Sequence, residues 1–188
     1  LHGRWGNVET IGFLELNSIA QGVEAADVVL KAAEVELLFA KAVCPGKYVI
    51  LFTGDVAAVT AALEAGRQSS GACLVDQVVI PRVHPQVIQA IHQMTEPGEV
   101  NALGILEFFS ITAAIYAADA AVKAAEVTLL DVRLGLGIGG KSFVVLTGEV
   151  AAVEEAVRCG REAAKDTGLF LNAVVIPSPR PEPFSTLY

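Results

Sequence analysis

Nowhere does the chain carry an apolar run long enough to cross a bilayer. The longest central stretch, Phe108 to Ala118, is closed by Glu107 and Asp119, well short of the roughly 20 residues a spanning helix needs. No membrane partner is expected. Positive charge is scarce: 13 Lys and Arg stand against 21 Asp and Glu, a formal net charge of −8. Without a basic stripe to neutralise phosphates, nucleic acid is excluded as a partner. Cysteine is scarce too, with three residues and no Cys-x-x-Cys pair. That argues for a reducing, cytoplasmic setting and against a disulfide framework. Leu1 to Thr10 shows no basic start followed by an apolar block, so no targeting segment is expected there. His2, His84 and His92 have no metal-ligand spacing with one another or with Cys44, and no catalytic residue is assigned.

What is abundant is apolar surface. Hydrophobic residues make up 53% of the 188 and charged residues 18%, with a mean hydropathy of +0.54. This excess has to be buried between subunits, which predicts an obligate oligomer.

The chain is also written twice. Ile11 to Leu38 returns as Leu103 to Leu130, shifted by 92 positions, with 15 of 28 pairs identical. Gly12/Gly104, Glu15/Glu107, Ser18/Ser110, Asp27/Asp119 and Lys31/Lys123 are among them. The shift grows to 94 at Gly46-Lys47 on Gly140-Lys141 and to 96 at Ile80-Pro81 on Ile176-Pro177. Loops changed length while elements stayed. Repeats of roughly 90 residues are too long for solenoid units and read as two homologous domains. The expected bounds are an N-terminal extension over 1–10, domains over 11–96 and 102–181, and a tail over 182–188. The Glu96-Pro97-Gly98 turn signal marks the joint.

Each repeat reads as strand, helix, strand, strand, helix, strand. Ile11 to Leu16 is an apolar run ending at Ser18, a helix N-cap. Ile19, Val23, Ala26, Leu30 and Ala33 then recur at helical spacing, with Asp27 and Lys31 one turn apart on the polar face. Val35 to Val43 and Tyr48 to Thr53 are β-rich and joined by Cys44-Pro45-Gly46-Lys47, a hairpin loop. A second helix follows Gly54-Asp55, and Leu74 to Ile80 is the last strand, closed by Pro81. The fold class is α+β, an α/β sandwich on the ferredoxin-like plan. Glu15 and Glu107 recur together, which favours a shared structural role over a carboxylate pair for acid–base work.

Taken together, the Gly12/Glu15 strand, Ser18, Ala26-Asp27, Lys31-Ala32-Ala33, Gly46-Lys47 and Thr53-Gly54-Asp55-Val56 resemble the bacterial microcompartment domain, twice over. The resemblance implies a non-enzymatic shell facet protein of the unpermuted tandem class. It also implies a homotrimer imitating a hexameric tile, packed edge to edge with other shell proteins around encapsulated enzymes. Lys31 and Lys123 are carried over as tile-edge residues, and Arg82 and His84 match the edge segment after the last strand. Ser178-Pro179-Arg180 departs from that pattern in the second repeat.

The same resemblance points the two hairpin loops at a central pore. The first is Cys44, Pro45, Gly46 and Lys47. The second is longer and includes Gly137, Ile138, Gly139, Gly140 and Lys141, a flexible lining to which Lys141 adds positive charge. On a threefold axis one Cys44 per chain becomes three thiols, a soft-ligand set for an iron-sulfur cluster. Similarity to the iron-sulfur tandem shell proteins of propanediol-utilisation compartments implies one 4Fe-4S cluster per trimer, held by Cys44 from three chains. Its implied role is moving electrons, or the cluster itself, across the shell, with encapsulated redox enzymes as partners. Two alternatives stay open: the same tile with a plain metabolite pore, and a small ligand-sensing regulatory oligomer.

Gly135 to Ser142 also satisfies the phosphate-loop pattern GxxxxGK[ST] in full. That motif requires a helix to begin at its lysine, whereas Phe143-Val144-Val145-Leu146 predicts a strand. Cys73 and Cys159 have no counterparts in the other repeat and are expected to be packing residues. Trp5 lies outside both repeats. Pro177 to Pro183, with four prolines, reads as an extended segment.

Overall fold

The computed structural model describes residues 8–96, 98–165 and 169–183. His2, Trp5 and the rest of 1–7, Pro97 of the expected joint, and tail residues 184–188 lie outside these. Two compact units emerge, Leu1–Val83 and His84–Tyr188.

In the first unit β1 (Thr10–Leu16), α1 (Ile19–Ala32), β2 (Glu36–Val43), β3 (Lys47–Gly54), α2 (Val56–Ser70) and β4 (Leu74–Pro81) follow one another. The sheet order is β2-β3-β1-β4, all antiparallel, which is the ferredoxin-like plan. Ser18 starts α1 as expected, its Oγ accepting the Gln21 N–H at 3.3 Å, and Asp55 caps α2 through Ala58 N–H at 2.8 Å. Leu14, Leu16, Ala25, Val29, Ile50, Phe52, Val59 and Ala62 form a core between the two helices and the central strands. Gly12 is required by that packing. A Cβ there would lie 2.4 Å from Phe52 Cζ and 3.0 Å from Val59 Cγ1, so only glycine lets α2 sit this close to the sheet. At the edge of the sheet, β2 carries Lys41, whose ammonium lies 4.4 Å over the Phe39 ring and whose pKa is lowered by burial.

The second unit repeats the plan with β5 (Ala102–Phe108), α4 (Ile111–Ala124), β6 (Thr128–Leu134), β7 (Ser142–Gly148), α5 (Val150–Ala163) and β8 (Phe170–Pro177), in the order β6-β7-β5-β8. Its sequence-equivalent Gly104 meets Leu146 and Val157 instead. One helix, α3 (Pro85–Ile91), is not foreseen by the repeat. By its internal contacts α3 belongs with the second unit, which begins at His84. The reason is chemical. Gln86 acts as a strand mimic along the β6 edge, its Oε1 accepting the Leu129 N–H at 2.8 Å and its Nε2 donating to Val127 O at 3.3 Å. Val87, Ile88, Ala90 and Ile91 are buried, and α3 packs on β6 and α4.

Among the described residues, no helix is long and apolar enough to cross a membrane.

Candidate functional site: the two hairpin loops

The β2–β3 connection is a tight turn. Gly46 N–H donates to Val43 O at 3.0 Å, and Gly46 has φ +88°. No atom lies within 4 Å of where its Cβ would be, so conformation rather than crowding selects glycine. Cys44 is half-buried, while Pro45 and Gly46 are exposed. The loop thus presents one thiol and open backbone at its tip.

Behind the tip lies an ion pair that sequence reading did not resolve. Lys47 Nζ is 2.5 Å from Glu15 Oε1, with the Glu15 side chain 1% and the Lys47 side chain 21% exposed. Glu15 Oε2 is buried without a hydrogen-bond partner. The second repeat makes the same link, Lys141 to Glu107 at 2.9 Å, in a wetter setting of 41% and 34% exposure. The shared role expected for Glu15 and Glu107 is therefore to anchor the hairpin lysine to the central strand. It also revises Lys141: this lysine is tied to a carboxylate, so the loop carries an ion pair and not an isolated positive charge.

The longer loop runs through Gly135, Gly137, Gly139 and Gly140, all at positive φ. Ile138 and Lys141, with Ile105, Glu107 and Phe143, line an open cavity of about 400 Å³. Ser142 opens strand β7 and not a helix, so no helix N-terminus stands behind the lysine to cradle phosphate. The phosphate-loop pattern is a coincidence of glycines.

The remaining candidates sit apart from these loops. Lys31 and Lys123 each pair with the aspartate one turn back, at 2.5 Å from Asp27 and Asp119. Arg82 is exposed with φ 50°. His84 caps α3, its Nδ1 accepting the Gln86 N–H at 3.3 Å while its own N–H donates to Asp119 Oδ1 at 2.8 Å. Cys73 packs against the first core. Cys159 lies on the outer face of α5, with Sγ 3.3 Å from Glu155 Oε1. Burial and that carboxylate push its thiol up, the opposite of a reactive site.

Asp131 was not anticipated. It is buried on β6 and paired with Arg133 at 2.7 Å. Burial pushes its carboxyl above the usual carboxylate range, against the downward pull of Arg133. Its raised value means the folded state holds this proton more tightly than the unfolded chain. The stabilisation is full below the unfolded pKa of about 3.9 and is lost as pH rises through the folded value. Asp131→Asn is expected to flatten the fall in stability as pH rises above about 4, the unfolded carboxylate value, read from urea midpoints at each pH.

Among the described residues, no group of three or more His, Cys, Asp or Glu could hold a metal ion within one chain. Against known proteins, the BMC domain model matches residues 10–83 and 102–179. The chain belongs to the BMC-domain family of bacterial microcompartment shell proteins. It is 45% identical over 171 residues to the bacterial microcompartment shell protein PduT of Citrobacter freundii, covering 91% of this chain and 93% of that one. The crystal structure of a microcompartment protein from Desulfitobacterium hafniense superposes with a TM-score of 0.87 at 50% identity, covering 95% and 99%. The shell protein PduA of Citrobacter freundii matches over 80 residues at 41% identity, 42% of this chain and 83% of that one. A BMC-domain protein with two domains in tandem is a shell structural protein, a family distinct from enzymes. This displaces the regulatory-oligomer alternative.

Proposed function

We propose that this BMC-domain chain is a facet tile of a microcompartment shell, a homotrimer whose six domains surround a pore. The observation that carries this reading is the duplication itself, two complete BMC folds in one chain. Three such chains reproduce six-domain geometry with alternating units. Neighbouring tiles are other shell proteins, met through an edge that includes Lys31, Lys123, Arg82 and His84.

The pore of this tile is lined by Cys44 to Lys47 and Gly137 to Lys141, and Cys44 from three chains is the ligand set for a 4Fe-4S cluster. One chain alone offers a single thiol there, consistent with a ligand set that only an assembly completes. The donor chemistry fits: a partly exposed cysteine on a turn, with backbone amides beside it and no side chain at Gly46 to keep a bulky group away. Pro45 and the Lys47–Glu15 anchor hold the loop in place. When bound, the cluster supplies one-electron chemistry to encapsulated redox enzymes.

The test is an iron and acid-labile sulfide count with electron paramagnetic resonance on anaerobically prepared protein. About four irons per trimer are expected, absent in Cys44→Ser. No iron after anaerobic reconstitution would overturn the cluster and leave a tile with a plain metabolite pore.

A further inference from the structure

The two units carry the same docking face, but only one is covered. In the second unit α3 lies on α4 and β6, and there Ile111, Ile115 and Val122 are 0%, 0% and 7% exposed. Their sequence equivalents on α1, Ile19, Val23 and Leu30, are 47%, 55% and 43% exposed. Val35, just before β2, and Leu37 within it are half-buried, against buried Val127, just before β6, and Leu129 within it. The strand order is the same in both units and the compared positions are apolar in both, so the difference in burial follows the segment after the last strand of the preceding repeat, which lies on α4 and β6.

That segment exists a second time. Carrying the shift of 96 past Ile176-Pro177 sets Ser178 on Arg82, Arg180 on His84, Pro181 on Pro85 and Glu182 on Gln86. Arg82 and Ser178 share an uncommon backbone turn, with φ 50° and 48°. Pro85 opens α3 at its first turn, the position proline favours, and Pro181 stands ready in the same place. Ile88 and Ile91, buried in the covered face, correspond to Phe184 and Leu187. Through residue 183 the tail residues are exposed or half-buried. It has the residues of a docking segment, and the first unit has the face.

Resting on the trimer reading above, we infer that residues 180–188 of one copy dock on the α1/β2 face of a second copy, as α3 docks on α4/β6. The chemistry matches point for point. Asp119 binds Lys123 through Oδ2 and takes the His84 N–H on Oδ1. Asp27 binds Lys31 through Oδ2 in the same way, and its Oδ1 corresponds to the acceptor for the Arg180 N–H. Gln86 Oε1 accepts the Leu129 N–H, and a Glu182 carboxylate offers the same acceptor to Leu37. Phe184 and Leu187 cover Ile19, Val23 and Leu30. A face on one copy and a segment on the next form a heterologous contact, the kind that closes rings.

Two full-length variants test this, each disabling one half of the contact. Val23→Glu charges the exposed face and Phe184→Glu with Leu187→Glu charges the tail; circular dichroism checks that both remain folded. Native mass spectrometry over a dilution series is expected to show a wild-type trimer, with each variant dissociating at a concentration at least about tenfold higher. Mixed, the two variants are expected to form a heterodimer, since one supplies an intact tail and the other an intact face. Wild-type dissociation behaviour in both variants would overturn the docking while leaving the tile intact. A wild-type chain that stays monomeric at every concentration would overturn the trimer along with it. A trimer weakened in both variants with no heterodimer on mixing would place the tail on its own chain and overturn the second-copy assignment.

Discussion

Lys47→Met is expected to lower the stability of the protein by about 3 kcal/mol, whereas Lys141→Met costs under about 1 kcal/mol. The two lysines occupy the same position in the two repeats and touch the same glutamate, so the contrast isolates burial. Glu15 is almost wholly removed from solvent, with one oxygen held by Lys47 at 2.5 Å and the other buried without a partner. Taking the ammonium away strands a carboxylate in the sheet, and breaking a buried pair in this way typically costs about 3–5 kcal/mol. Lys47 is one-fifth exposed, so water partly replaces it and the lower end applies. Glu107 and Lys141 are each more than a third exposed, where solvent screens the loss. Removing both partners, Glu15→Leu with Lys47→Met, is expected to restore most of the stability. Urea midpoints at one fixed protein concentration check all three, because assembly makes apparent stability concentration-dependent.

The second large effect concerns Gly12 and Phe52. Phe52→Ala empties a fully buried site and is expected to cost about 3–5 kcal/mol. Gly12→Ala overfills the same space, since its Cβ falls 2.4 Å from the Phe52 ring, at about 1–3 kcal/mol. The two errors have opposite signs in volume. Combined, they are expected to cost less than their sum, because the new methyl group enters the void left by the ring. Phe52→Leu is the mildest change, as Leu146 already fills that position over Gly104 in the second unit. Denaturation midpoints of the four proteins give the coupling directly; strict additivity would mean that the glycine is there for another reason.

Both glycines were visible in the sequence as an invariant of the repeat, and so were Ser18, the hairpins and the strand after Lys141. Local chemistry determines each of these. The Lys47–Glu15 anchor was not readable, although both residues recur in both repeats. Glu15 pairs with Val49 in the β1–β3 register, which puts Lys47 diagonally across on the same face. That neighbour relation needs the register, which a sequence 32 residues apart does not state. Helix α3 escaped for a related reason. At seven residues it carries little periodicity, and the contacts that hold it run from Gln86 to residues more than 40 positions away. Nothing in the spacing of the three cysteines marks Cys44 as a ligand, so the role proposed for it rests on resemblance alone.

Lys41 on β2 has a consequence for the life of the chain before it is built into anything. An uncovered edge strand flanked by exposed aliphatic side chains is an invitation to stray β-pairing and fibre growth. Lys41 sits mid-strand over Phe39, and any foreign strand laid along β2 would have to bury that ammonium. Newly made chains are thus guarded against stray pairing at the centre of that edge, while its beginning, at Val35 to Leu37, is where the docking inferred above would place the tail.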